Sequence, residues 1–159
     1  MGHWGRILAL SLVVFGIDRL TKLWVVEWMN LKEIGRLDVF APYLTFRMAW
    51  NEGINFGIFN FGEDGRWVLV GLSVVIVLVV LWWTRKHLGW IVPMATGLVV
   101  GGALGNVWDR VQYGAVADFL NMSCCGFNNP YAFNVADMAI FAGAVLLILF
   151  ADKAPKREH

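Results

Sequence analysis

Asp118 and Asp137 are the side chains best suited to chemistry in this 159-residue chain. Neither has a basic residue at helical spacing within its own segment, and Arg110 cannot neutralise both unless the fold brings it to them. Two carboxylates held near a low-dielectric surface repel, which raises the pKa of one. One ionised and one protonated carboxyl is what an aspartic protease requires: the first activates water and the second protonates or polarises the scissile carbonyl. Metal chemistry has less to work with. The chain holds three histidines, and its two cysteines, Cys124 and Cys125, are adjacent rather than spaced as ligands. No metal and no cofactor is expected, and the two thiols read as solvated or buried.

The elements that must position these carboxylates belong to a membrane. Hydrophobic residues make up 58% of the chain and charged residues 16%, against about 45–50% and 25% in soluble domains. A net charge of +1 without clustered base argues against a nucleic-acid partner. A helix needs about 20 mostly apolar residues to cross the hydrocarbon, and open strands would leave backbone groups unpaired there. Four stretches qualify: about Ile7–Trp28, Arg66–Trp83, Trp90–Val107 and Ala132–Phe150. The first resembles the start of a signal peptide, but Asp18, Arg19 and Lys22 stand where a small-residue cleavage site should follow, so it is read as retained. The expected fold is an all-α membrane protein, one polytopic domain over 1–159. Four transmembrane helices are joined by outer loops over about 29–65 and 108–131, and a small β-rich region comes from Leu37–Phe40 and Tyr43–Phe46, which alternate around Pro42.

Orientation follows from Arg6, Arg85, Lys86, Lys153, Lys156 and Arg157, which place both termini in the cytoplasm. On a first span entering from that side, Asp18 lies about 11 residues or about 16 Å in, within the outer half, one turn from Lys22. Asn106, Asp109 and Arg110 end the third span, the outer loop supplies Asp118, and Asn134 and Asp137 open the fourth. The polar residues thus gather at the outer leaflet, and ionisable groups at membrane depth are functional or paired by default. Asp18 with Lys22 and Asp109 with Arg110 are the candidates for simple charge pairing. Gly97, Gly101 and Gly105, at four-residue steps, read as a face for close helix packing. A small proton- or cation-coupled transporter subunit is the alternative. It would place carboxylates near the midplane on broken, repeated helices, and no such repeat is evident.

The motifs Asp18-Arg19-Leu20-Thr21-Lys22, Asn51-Glu52-Gly53-Ile54-Asn55-Phe56-Gly57, Gly101 through Arg110, Gly114 through Phe119 and Phe133-Asn134-Val135-Ala136-Asp137 follow one another along nearly the whole chain. In this order they resemble the lipoprotein signal peptidases (signal peptidase II). The resemblance implies a membrane-embedded aspartic endopeptidase that cuts a lipid-modified prolipoprotein just before its diacylglyceryl cysteine. It implies Asp118 and Asp137 as the catalytic pair. Asn51, Gly53, Asn106, Arg110, Asn134 and Ala136 would line or support the substrate site, and Asp18 and Lys22 would support the fold around it. It further implies contact with membrane lipids, inhibition by globomycin-type cyclic peptides, and action as a monomer. A loop over Asn51–Phe61, with Gly53, Gly57 and Gly62 as hinges, is expected to cover the site. Three features depart from the family pattern: Asn55 stands where Ala is usual, Met138 follows the second aspartate, and Ser123–Tyr131 is atypical.

Overall fold

The computed structural model describes residues 1–53 and 65–155. Helix α1 spans His3–Lys22 and runs without a break into a π-helical stretch, Leu23–Trp28. Together they cover the first predicted span. Asn30, in the left-handed region at φ 55°, turns the chain into the single-turn α2, Leu31–Ile34. Strands β1 (Arg36–Phe40) and β2 (Leu44–Asn51) follow, then α3 (Gly65–Thr84), α4 (Ile91–Tyr113), β3 (Val116–Met122) and α5 (Val135–Phe150). Most of the proposed cover loop, with Asn55, Gly57 and Gly62, lies outside the described residues.

Two helices, α3 and α4, are long and apolar enough to cross a bilayer, and α5 is a shorter apolar helix of 16 residues. Helix α3 buries only Gly65 and Thr84 and leaves most of its side chains exposed, including Val75, Leu78 and Val79. A helix that is apolar all round has no polar face to offer water. Helix α4 is central, packed on both α1 and α5. Its glycines make that approach possible. A Cβ on Gly101 would lie 2.7 Å from the Ser11 carbonyl oxygen and 2.8 Å from Val14 Cβ of α1. One added on Gly105 would lie 2.7 Å from an Asp18 carboxylate oxygen. On the other side Gly143 of α5 faces the Ala95 carbonyl oxygen in the same way, at 2.6 Å. The small-residue face therefore packs helices, as its spacing suggests.

The strands form an antiparallel sheet in the order β1-β2-β3. The first two match the alternating segments around Pro42. The third, which carries Asp118, is absent from the sequence expectation: Val116–Phe119 is buried throughout and so lacks alternation. Val25, Val26, Leu31, Ala117 and Phe119 form the core beneath the sheet, with Phe46 edge-on to Phe119 at 5.9 Å. At the opposite end of the molecule the Arg6 guanidinium donates to the Gly89 carbonyl (2.8 Å), and the Leu88 N–H donates to the Pro155 carbonyl (2.7 Å).

Because the atoms facing Gly101 include backbone, Gly101→Ala is expected to lower stability by about 1–3 kcal/mol through overpacking. Gly71→Ala, on α3 with nothing within 4 Å, should leave the melting temperature at or above its starting value. Thermal melts in detergent micelles compare the two.

Candidate active site

Four segments converge at the sheet end of the helices. Helix α5 begins with a reciprocal cap. Asn134 sits in extended geometry, its side chain accepting from the Asp137 N–H at 2.8 Å, while the Asp137 carboxylate accepts from the Asn134 N–H at 3.3 Å. This arrangement satisfies two of the N–H groups that a helix start leaves open, and it fixes Asp137 within the first turn. Asp118 is fixed by strand pairing: Ala49 lies opposite it on β2, and Asn51, two residues on, points to the same face.

Amides link the two carboxylates. The Asn134 side-chain NH2 donates to Asp118 Oδ1 (2.6 Å) and to Asn106 Oδ1 (3.3 Å), and the Asn106 NH2 donates to Asp137 Oδ1 (2.8 Å). Asn51 Nδ2 donates to the other oxygen of Asp118 at 3.0 Å. Burial pushes the Asp118 carboxyl up, to about 6, and the negative charge of Asp137 adds to this; the hydrogen bonds from Asn51 and Asn134 and the more distant charge of Lys22 only partly offset it. Arg110 lies within electrostatic reach of Asp137, Asp118 and Asp109. Its Nη1 donates to the Asn106 carbonyl at 3.3 Å, and its Nε has no hydrogen-bond partner among the described residues. Gly53, at φ +82°, lies against this guanidinium: a Cβ there would be 3.6 Å from Arg110 Nη2 and would overlap Leu69. All eight residues expected to form or line the site are thus brought together, Ala136 through its backbone.

Behind them sits a second group of charges. Asp18 and Asp109 have fully buried side chains, and Lys22 is 3% exposed. Arg19 Nη2 bonds Asp18 Oδ2 at 2.8 Å and Asp109 Oδ1 at 2.5 Å; Lys22 Nζ bonds Asp18 Oδ2 at 3.0 Å and Asp109 Oδ2 at 2.5 Å. Two anions and two cations make a neutral set. Each carboxylate also accepts one backbone N–H: Asp18 Oδ1 from Ala136 at 3.1 Å, and Asp109 Oδ2 from Ala117 at 3.1 Å. Ala136 directly precedes Asp137, and Ala117 directly precedes Asp118. The Asp18–Lys22 pair is as expected. Asp109 takes Arg19 and Lys22 as its ion-pair partners instead of Arg110, because consecutive helical residues point about 100° apart. Sequence reasoning noted Arg19 and Asp109 but gave neither a place in this set. A charge inside an apolar span was the available signal. Among the described residues no group of three or more His, Cys, Asp and Glu could hold a metal ion.

The fold is similar to that of bacterial membrane enzymes. Two such structures, solved by the in meso method at 1.9 and 2.3 Å, superpose with TM-scores of 0.77 and 0.75 at 26% identity. The first match covers 91% of each chain, and the second covers 98% of this chain and 93% of the other. The sequence is 42% identical to a lipoprotein signal peptidase of Methylorubrum extorquens over 87% of this chain and 80% of that protein. It is 34% identical to one of Caulobacter vibrioides over 95% and 90%. Residues 10–152 match the family model for signal peptidase II. The chain belongs to the signal peptidase II family.

Removing one cation from the buried set leaves a carboxylate uncompensated. Lys22→Met is expected to cost about 3–5 kcal/mol, the range for breaking a buried ion pair from one side. Thermal melts and limited proteolysis in micelles provide the check. Asp118 offers a pH test. Between an ordinary carboxyl value of about 4 and its own value of about 6, the folded chain holds a proton that the unfolded chain releases. Its contribution to stability therefore falls as pH rises through that window and stays low above it. Asp118→Asn removes this penalty, so its stability relative to the parent should increase from pH 4 to pH 7. A difference that is flat with pH would contradict the assignment.

Proposed function

We propose that the chain is an aspartic endopeptidase that removes the signal peptide of prolipoproteins, cutting just before a cysteine that carries a diacylglyceryl group. The observation that carries the catalytic type is a pair of carboxylates held through asparagine amides rather than cations, with the proton affinity of Asp118 raised. Amide donors fix the position of a carboxyl without committing it to one charge state.

Asp118 holds the shared proton and Asp137 is the base, placed at the start of α5, where the helix dipole favours negative charge. Asp137 takes a proton from water as the water oxygen attacks the scissile carbonyl, and Asp118 gives its proton to the carbonyl oxygen. In collapse of the tetrahedral adduct Asp137 returns a proton to the departing amide nitrogen. Asp118 recovers its own from the adduct hydroxyl as the carbonyl reforms. The products are a new carboxyl on the signal peptide and a free amino group on the lipidated cysteine. Arg110 and Gly53 border the peptide path, and Asn51, Asn106, Asn134 and Ala136 support it.

The placement suits a lipid-anchored substrate. In this reading four helices span an inner membrane: α1 with its π-helical continuation, α3, α4 and α5. Arg6, Arg85, Lys86 and Lys153 belong to the cytoplasmic end, the one at which Arg6 meets Gly89. The paired carboxylates then lie at the periplasmic leaflet. Acyl chains enter sideways from the bilayer, and their anchoring holds the scissile bond near the pair, lowering the entropic barrier to attack. Globomycin-type peptides compete for the same space, and the enzyme acts as a monomer without a metal.

Asp118→Asn and Asp137→Asn are each expected to insert and fold yet lose cleavage of a lipidated precursor by about 10²–10⁴-fold, the usual contribution of a positioned acid or base. A gel-shift assay on the precursor, run with and without a chelator and with globomycin, measures this. Turnover retained by both variants would defeat the aspartic assignment, and turnover lost in chelator would point to a metal.

A further inference from the structure

The loop that joins β3 to α5 carries a feature that the peptidase reading does not use. The Phe127 N–H donates to the Cys124 carbonyl at 2.9 Å, closing a tight turn around Cys125 and Gly126. Both central residues have positive φ, 59° and 83°, as a type I′ turn requires. Glycine or asparagine occupies the first such position at little cost, and cysteine does not. Backbone conformation therefore gives no reason for Cys125. Both cysteines are exposed free thiols. The Cys124 thiol hydrogen-bonds that of Cys125, which pushes its pKa up and places the two sulfurs side by side.

This turn sits at the tip of a loop strung between the two halves of the site. Asn121, three residues beyond Asp118, donates to the carbonyls of Asn129 (2.8 Å) and Tyr131 (2.7 Å). The Asn129 N–H donates to Ser123 Oγ at 3.1 Å, and Arg47 donates to the Pro130 carbonyl at 3.2 Å. Phe133, the residue before Asn134, exchanges backbone hydrogen bonds with Leu120 at 2.8 and 2.9 Å. These hydrogen bonds connect the turn to β3 on one side and to the cap of α5 on the other.

We propose that Cys124 and Cys125 form a reversible redox site that closes into a vicinal disulfide by exchange with an exposed protein disulfide or oxidised glutathione. The thiolate of one cysteine attacks one sulfur of the oxidant, forming a mixed disulfide and releasing one thiolate. The other cysteine, losing its proton, then displaces the second thiolate and makes the Cys124–Cys125 bond. Two thiols are oxidised and one disulfide is reduced to two thiols. Two protons pass to the departing sulfurs. Adjacent Cα atoms lie about 3.8 Å apart across a trans peptide, closer than the roughly 5.5–6 Å that disulfides prefer. The bond is strained and readily reduced, the property of regulatory rather than structural disulfides. An extracytoplasmic setting supplies the oxidant.

The test equilibrates the full-length protein in micelles with a series of oxidised-to-reduced glutathione ratios. The sample is quenched in acid, alkylated and read by intact mass. The expected result is a single transition from two alkylated thiols to none, with loss of two hydrogen atoms and no covalent dimer. Cys124→Ser and Cys125→Ser should each collect a glutathione adduct instead. Phenylarsine oxide should bind once to the reduced parent and to neither variant. Two alkylated thiols at every ratio, two glutathione adducts, or disulfide-linked dimers would each overturn the proposal. A second arm rests on the peptidase reading: cleavage should fall several-fold on oxidation, recover with dithiothreitol, and be redox-insensitive in the double serine variant. Closure without a change in cleavage would overturn the link to the site while the mass data stand. A chain that cleaves nothing in either state would tell against the peptidase reading alone.

Discussion

The site depends on a neutral set of four charges, three of them buried and that of Arg19 partly so. Asp18, Arg19, Lys22 and Asp109 lie where an isolated ion would be costly, and each anion finds both cations within ion-pair distance. Neutrality alone would make this a structural knot between α1 and α4. What ties it to the site is the remaining acceptor capacity of each carboxylate, which takes the N–H of Ala136 or Ala117. These contacts hold the first turn of α5 and the start of β3, so both aspartates are referred to one rigid body.

Close helix packing is the condition for that set to exist. The glycine at position 105 lets the Asp18 carboxylate lie against α4, and Gly101 lets the backbone of α1 approach a turn earlier. A bulkier residue at either position would push α1 outward and lengthen the ion pairs that Arg19 and Lys22 make with Asp109. The small-residue stripe and the charge set are two parts of one requirement: an ion-pair network in a low dielectric must be reached at hydrogen-bond distance or its desolvation is not recovered.

Much of this was legible in the sequence. Apolar runs located α3 and α5 closely, whereas α4 continues past the expected end at Val107 to Tyr113; the alternation around Pro42 located β1 and β2. The clustering of Asp18, Asn106, Asp118, Asn134 and Asp137 at one end followed from their depth along the predicted spans. Strand β3 was not legible, because burial on both faces removes the two-residue period by which a strand is recognised. The partners of Asp109 were not legible either. Its sequence neighbour Arg110 was the natural candidate, and choosing Arg19 and Lys22 requires knowing which face of α1 meets α4. The joining of Ala117 and Ala136 to that set was beyond reach, since backbone N–H groups carry no residue-type signal.

Asp18, Asp109, Asp118 and Asp137 converge where the helices meet the sheet, and their different surroundings divide these four carboxylates into two kinds. Asp18 and Asp109 take up both cations of the buried set, which leaves neither Arg19 nor Lys22 in ion-pair contact with Asp118 or Asp137. The second pair is held by Asn51, Asn106 and Asn134, which supply direction and hydrogen bonds but no charge. Burial and the charge of Asp137 then outweigh these hydrogen bonds and the more distant charge of Lys22, and the proton affinity of Asp118 rises. A lysine in place of Asn134 would favour the ionised form of Asp118. The choice of amides over cations around these two carboxyls keeps a proton available at a site whose scaffold, one layer deeper, is built from fixed ion pairs.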